Sequence, residues 1–290
     1  MEVIYSIELM QQKSDEWVRK NKRIGFVATM GFFHEGHTHL MKEARQQNDI
    51  VITSIFVNPL QFGPHEDYDR YPRDERHDTL LAEQAGVDIL FLPDVEEMYP
   101  RPMQVSMSIT DRVNVLCGKS RPGHFDGVIT VLTKLFNMTR PNRVYFGMKD
   151  AQQVAVVDAL IRNLNFPIEL IGLPTIREVD GLAKSSRNVF LSSVERDEAI
   201  WIFKSLKEAR QLVVDGEKNP AIIVKEVADT ITRRTSGKID YVELLSYPHL
   251  TPVSVIEQQV IVAVAVQFEH TRLIDNLLFD ASGKLIEGIK

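Results

Sequence analysis

One cysteine, Cys117, stands in 290 residues. That excludes an internal disulfide framework and fits a reducing compartment. Cys117 itself is expected to be a small, buried apolar side chain. No apolar run approaches the ~18 residues that would suggest a membrane-crossing helix. The start, Met1-Glu2-Val3-Ile4, lacks a charged segment followed by a long apolar one. No secretion signal is expected, and the cytoplasm is the expected location. Positive charge is not in excess either, since the net charge is −6. Phosphate backbones attract basic faces, so neither nucleic acid nor a membrane is expected as a partner. Internal repeats and low-complexity tracts are also missing.

What is present is an ordinary globular balance, 44% apolar and 26% charged. The length suits one large domain or two smaller ones. The chain is organised around Thr29-Met30-Gly31-Phe32-Phe33-His34-Glu35-Gly36-His37. An apolar run over 24–28 precedes it and reads as a buried strand. A helical stretch over 38–47 follows. Strand, glycine-bearing turn and helix together offer unpaired backbone N–H groups and partial positive charge to a phosphate. His34 and His37 add donors that can become cationic. Gly36 suits a tight turn or the close approach of a ligand. An isolated H-x-x-H pair more often caps a helix. A metal pair is disfavoured, because no third His or Cys follows nearby. The preceding strand and T-x-G shift the balance. In that setting H-x-G-H resembles the nucleotidyl-transferring Rossmann-like enzymes, whose histidines contact ATP phosphates.

Residues 8–20 read as a short amphipathic helix. Residues 50–56 are rich in β-branched side chains and read as a strand. Pro59 and Gly63 break structure after it. Asn58 and Gln61 are thereby placed in a loop past the strand's carboxyl end, where open α/β sheets bind ligands. The polar stretch over 63–75 is long enough to be a lid. A helix over 76–85 leads to a strand over 88–92, and the alternation over 103–109 suggests an outlying strand. The loop over 121–127 feeds a helix over 128–138. A strand over 143–146 ends in Gly147-Met148-Lys149-Asp150. Asp150 and Gln153 have the spacing of a helix-capping box. Lys149 has no such structural reason, because a cation at a helix start opposes the helix dipole unless an anion binds. A strand over 168–173 completes the alternation. The pattern predicts an α/β fold, with a Rossmann-like, doubly wound parallel sheet over 1–175.

The texture changes at residue 176, where a polar connection holds Lys184, Ser185, Ser186 and Arg187. A capping box, Ser192 with Glu195, opens a helix to about residue 214. A helix over 220–233 and two strands, over 241–245 and 260–266, follow. Residues 176–290 thus read as a smaller α+β domain with a lid role.

Lys184, two hydroxyls and Arg187 supply cations and donors for polyphosphate oxygens. Alone, K-S-S-R would be a solvated linker. Downstream of H-E-G-H it resembles the KMSKS-type loop that accompanies HIGH-type motifs, with Ser186 where the second lysine would stand. Other motifs follow the same order: F-V-N-P-L-Q-F-G, Y-P-R-D, R-P-G-H-F-D-G-V, F-G-x-K-D-x-Q-Q, R-E-x-D-G-L-A-x-S-S-R-N and R-L-I-D-N. With all of them the chain resembles the pantothenate synthetase family, also called pantoate–β-alanine ligases, over nearly its whole length. Departures are few. Ala28 replaces a usual proline, Phe32-Phe33 a smaller pair, and Met148 a frequent glutamate; none removes a charged catalytic group.

The resemblance implies that ATP and (R)-pantoate give pantoyl adenylate and pyrophosphate, and that β-alanine then displaces AMP. It implies ATP as co-substrate, Mg²⁺ with it, and a homodimer formed through the larger domain. It implies ATP contacts at Met30 to His37, at Gly147 to Asp150, at Ile176 and at Lys184 to Arg187. Gln61 and Gln153 would hold pantoate, with Asn58 beside them. His37 would be a proton donor and His34 a phosphate contact; Lys149 and Arg187 would also be catalytic. A carboxylate is already ionised near neutral pH, so such a reaction needs positioning and cations rather than a strong base. The alternative is an H-x-G-H nucleotidyltransferase that keeps the nucleotide in its product.

Overall fold

The computed structural model describes residues 1–64 and 66–289. The larger sheet contains β1 (Glu2–Ile4), β2 (Ile24–Thr29), β3 (Ile50–Ile55), β4 (Ile89–Phe91), β5 (Arg143–Gly147) and β6 (Glu169–Leu173). Their order is β1-β4-β3-β2-β5-β6, and every pairing is parallel. Between them run α1 (Ile7–Arg19), α2 (Glu35–Gln47), α3 (Glu75–Gln84), the short α4 (Val95–Met98) and α5 (Leu116–Ser120), α6 (His124–Thr139) and α7 (Ala151–Asn163).

Successive strand residues point to opposite faces, and both faces are covered. Ile24, Phe26, Ile52, Val144 and Phe146 pack with Met10 of α1, Leu132 of α6 and Val154 of α7. Val27, Val51, Leu90 and Tyr145 pack with Leu40 and Met41 of α2 and Ala82 of α3. Burial on both faces is why β2 reads as an unbroken apolar run. From β2 the chain moves to β3 and β4 on one side, whereas β5 and β6 lie on the other. The crevice beyond the carboxyl ends of β2 and β5 is therefore the switch point at which such sheets bind ligands.

The second sheet is antiparallel, β7 (Lys238–Ser246), β8 (Val260–Gln267) and β9 (Arg272–Phe279). Helices α8 (Ser193–Val214) and α9 (Pro220–Arg234) cover one face. Val260, Val262, Val264 and Val266 of β8 pack with Ile202, Leu206, Ile223 and Val227. Ile261 and Ala263 face the other way and join the core of the larger sheet. The small sheet is thus a middle layer.

Four expectations are corrected. The chain ends in three strands rather than two; Asp275 and Asn276 interrupt the apolar pattern of β9 and hid it. Residues 103–109 form no strand; residues 101–106 are exposed throughout, and the Ile109 N–H is taken by the Asp126 side chain at 2.9 Å. Alternation needs a covered face to become a strand. α2 begins at Glu35 because His34 caps it. α6 begins at His124, one turn earlier than its apolar stripe suggested; Gly127, a poor helix former, masks that turn. At the chain's end Ile289 bridges to Gly172 on the edge strand β6. Among the described residues no helix is long and apolar enough to cross a membrane.

Candidate active site

The turn after β2 is held from below by one carboxylate. Asp78 of α3, 1% exposed, accepts the N–H groups of Phe32 at 2.7 Å and Phe33 at 2.6 Å. Gly31 has φ of +86°, and a side chain there would meet the Asp78 carboxylate at 2.9 Å. Phe32 also has positive φ, 52°, a strained state that the two hydrogen bonds stabilise. Burial pushes the Asp78 carboxyl up despite its two amide donors. The expected phosphate cradle is therefore partly filled by the protein itself. The Gly31 N–H meets Thr29 Oγ1 at 3.2 Å, and Phe33, 4% exposed, belongs to the core.

His34 and His37 sit above this turn with ring centroids 4.2 Å apart. His34 Nδ1 accepts from the Gly36 N–H at 3.1 Å, and His37 Nδ1 from the His34 N–H at 3.3 Å. Gly36 is required by the ring of His34, whose Cε1 would lie 2.8 Å from a Cβ there. Desolvation, reinforced by the Lys149 ammonium, lowers His34 to about 4. Desolvation, then His34 and Lys149, lowers His37 to about 3. Both rings are neutral near pH 7. A neutral imidazole that accepts at Nδ1 carries its proton on Nε2, so both offer Nε2–H as a donor. The helix-cap role and the donor role are therefore compatible.

Beyond β5, Met148–Asp150 form one 3₁₀ turn. The capping box expected of Asp150 and Gln153 is not made, for Asp150 forms no side-chain cap to α7. The Gln153 side chain has no hydrogen-bond partner among the described residues, whereas its buried neighbour Gln152 holds the Arg112 and Val115 carbonyls, each at 2.9 Å. Lys149 Nζ lies 3.9 Å from Asp150. Across the crevice, Gln61 is fixed from several sides. Its Nε2 meets Met30 Sδ at 3.2 Å and its Oε1 accepts from Asn58 Nδ2 at 3.2 Å. Its carbonyl accepts from His124 Nδ1 at 2.7 Å. Desolvation and Arg121 lower His124 to about 4, so it too is neutral. Asn58, 1% exposed, is turned away from the cavity. It accepts from Tyr99 Oη at 2.9 Å and donates to the Gly127 carbonyl at 3.1 Å.

The polar connection closes the other side. Arg187 pairs with Asp67 through Nε and Nη2, both at 3.1 Å. Lys184 pairs with Glu35 and, at 3.4 Å, with Glu178; the Glu35 contact holds the ammonium above its ordinary pKa. Of the loop over 63–75, residue 65 lies outside the described residues; the rest is anchored by Tyr71, 5% exposed, by Phe62 against Tyr68 and Tyr71, and by Arg121 on Glu66, with Nε at 2.8 Å.

A cavity of about 230 Å³ gathers Met30, His34, Gly36, His37, Gln61, Gly147, Lys149, Asp150, Gln153, Ile176, Lys184, Ser185, Ser186 and Arg187. Of the expected site residues, Gly31, Phe32, Phe33, Glu35, Met148 and Asn58 do not line it. Sequence reasoning missed Tyr71, Thr175 and the apolar wall of Val128, Val131, Leu132 and Leu135 on α6. The α6 stripe was visible, but as core. A larger cleft of about 1210 Å³ adjoins the cavity and shares Lys149, Asp150, Gln153, Ser185 and Arg187 with it. The smaller space is the candidate site because it collects the motif residues. Cys117 is half-buried on the larger cleft, with Sγ 3.3 Å from Tyr241 Oη and 3.6 Å from Arg272 Nη1, so it is not the plain apolar filler expected. Among the described residues no group of three His, Cys, Asp or Glu could hold a metal.

The chain is similar to known proteins over nearly its whole length. A pantothenate synthetase from a Geobacillus species is 56% identical over 280 residues, 97% of this chain and 99% of its own length. One from Bacillus pumilus is 53% identical, over 96% of each chain. The crystal structure of pantothenate synthetase from Thermus thermophilus superposes with a TM-score of 0.90 at 40% identity, covering 96% of this chain and 99% of that one. A pantoate-beta-alanine ligase from Francisella tularensis, complexed with beta-gamma ATP and beta-alanine, gives a TM-score of 0.79 at 33% identity, over 96% and 97%. The family described as pantoate-beta-alanine ligase matches residues 2–278. The chain belongs to that family, and it is a ligase that joins pantoate to β-alanine.

Proposed function

We propose that the ligation runs through a pantoyl adenylate formed in the 230 Å³ cavity. The observation that carries this reading is the meeting, at one switch point, of two phosphate-handling elements and two glutamines. ATP would lie between the His34–His37 turn and the Lys184–Arg187 loop, and the ATP complex of the Francisella relative supports that co-substrate. Pantoate would lie against α6, its hydroxyls and carboxylate oriented by Gln61 and Gln153. Each amide offers a donor and an acceptor without adding charge.

A pantoate carboxylate oxygen attacks the α-phosphorus and pyrophosphate leaves. The β-alanine amine then attacks the acyl carbon, AMP departs with the former carboxylate oxygen, and the nitrogen gives up a proton. Lys149, the two Nε2–H donors, Lys184 and Arg187 stabilise charge on the phosphoryl oxygens. His37, near pKa 3, begins as a hydrogen-bond donor; the triphosphate's charge favours its protonated form. Mg²⁺ would enter with the triphosphate, as this ion commonly does. Asp150, the carboxylate on the cavity wall, is the residue that could hold it.

Residues 1–175 then form the ATP- and pantoate-binding domain, and 176–290 a smaller domain carrying the phosphate loop; two sheets with separate helix layers support that division. A homodimer through the larger domain is supported by the resemblance and by Met103 and Val105, 44% and 70% exposed. Sedimentation at micromolar concentrations tests it, and a monomer throughout refutes it. A cytoplasmic location fits the single cysteine. The test of mechanism is isotope exchange between pyrophosphate and ATP, with pantoate and without β-alanine. Exchange that requires β-alanine would refute a free-standing adenylate step.

A further inference from the structure

The last strand reaches back into both phosphate-handling elements through two adjacent residues. Asp275 and Asn276 of β9 are 4% and 8% exposed. Neighbours on a strand point to opposite faces, so they serve different segments. Asn276 Nδ2 donates to the Met148 carbonyl at 3.0 Å and to the Lys149 carbonyl at 2.9 Å. Both amide hydrogens are thereby used on the 3₁₀ turn that carries Lys149. Asp275 binds Arg177 in a bidentate pair, at 2.6 Å and 2.9 Å. Arg177 also donates to the Gly181 carbonyl at 3.1 Å, stacks on Phe203 at 3.6 Å and bridges to Ala183. The base of the loop that ends in Lys184 and Arg187 is clamped in this way.

We infer that Asn276 is a positioning residue for adenylate formation, acting through Lys149, and that the Asp275–Arg177 pair does the same for the second phosphate loop. The inference rests on the role proposed above for Lys149. A lysine ammonium rides on four flexible methylenes, so its reach is set by where its backbone is held. The turn that holds it is only three residues long, and its carbonyls at 148 and 149 are fixed by Asn276. Misplacing a reactive group by ~1 Å can cost ~10² in rate.

The experiment is a double-mutant cycle on the pyrophosphate–ATP exchange rate, with Asn276→Ala, Lys149→Ala and the pair, each with a melting curve. Asn276→Ala is expected to lower kcat roughly 10- to 100-fold, with KM for pantoate within about 3-fold. In the Lys149→Ala background it should cost less than about 3-fold, because the group it positions is gone. Asn276→Asp keeps the shape but presents oxygens to two carbonyls, and should be at least as slow as alanine. Asn276→Ser, which keeps one donor, should fall between wild type and alanine and serves if alanine does not fold. Losses that multiply in the double variant would overturn the inference, as would a melting shift with unchanged kcat. Lys149→Ala at the wild-type rate would instead remove the role of Lys149, and the inference with it.

Discussion

His34 and His37 should make the protein's stability steeply dependent on pH below 7. Their values of about 4 and about 3 lie well under the ordinary 6.5. Between 6.5 and 4 the unfolded chain binds protons at these positions and the folded chain does not. Stability therefore falls as pH drops through that window, and it is retained above the unfolded value. At about pH 5, some 1.5 units below the unfolded value, each ring costs ~2 kcal/mol, so the pair costs ~4 kcal/mol. The figure is set mainly by the unfolded value, since pH 5 is above both folded ones. Against a typical 5–15 kcal/mol of total stability this is a large fraction.

The assay is urea unfolding at pH 7 and pH 5 for wild type and for His34→Asn with His37→Asn. Asparagine is chosen because it can still cap α2. The double variant should lose about 4 kcal/mol less than wild type on going from pH 7 to pH 5. His124, also low, remains in both proteins and cancels. A second arm uses the triphosphate, whose negative charge favours imidazolium. ATP binding near pH 6 should take up protons, seen as a calorimetric heat that varies with the buffer's ionisation enthalpy, and the double variant should show less. An identical pH 7 to pH 5 loss in the two proteins would show that these rings are not kept neutral by the fold.

Asp67→Asn should lower the KM for ATP by roughly 2- to 5-fold, because Arg187 no longer has to leave a half-buried ion pair worth ~0.5–1 kcal/mol; a raised KM would mean that the pair itself supports the site. Asp78→Ala should destabilise by roughly 2–5 kcal/mol through the two amides it strands, and denaturant melts giving under 1 kcal/mol would contradict that. Lys149→Ala should lower kcat, whereas Gln153→Ala should chiefly raise the KM for pantoate. Since Asp150 makes no cap to α7, Gln153→Ala should melt within ~0.5 kcal/mol of wild type, and an early melt with normal pantoate binding would refute its substrate role.

The parallel sheet was legible because β2, β3 and β5 are buried on both faces, and an unbroken apolar run leaves few alternatives in a chain that alternates with helices. The H-E-G-H turn was legible because a strand, a glycine turn and a helix follow one another within a dozen residues. Contacts over long separations were not. Asp78 is some 45 residues from the amides it holds, and nothing around it in sequence marks a buried carboxylate. β9 was lost because Asp275 and Asn276 look like solvent-facing residues; their partners, Arg177 and the 148–149 carbonyls, are about 98 and 128 positions away. The wall of α6 was read as core because an apolar stripe does not reveal that one end of it borders a cavity.

The pairing of the cations explains how one small cavity tolerates so many of them. Lys149, Lys184 and Arg187 all line it, and three like charges in a partly desolvated space repel one another. Each has a carboxylate nearby: Asp150, Glu35 with Glu178, and Asp67. A triphosphate must compete with those carboxylates. In the site proposed above, part of its interaction with Arg187 and Lys184 would replace ion pairs already present, and binding would be weaker than the cation count suggests. Asp67 belongs to the segment after Glu66 and Glu35 to the first turn of α2, so moving their partners to phosphate would exchange protein ion pairs for substrate ones. In that proposal the cations would reach full effect only when phosphate oxygens have taken over from the carboxylates.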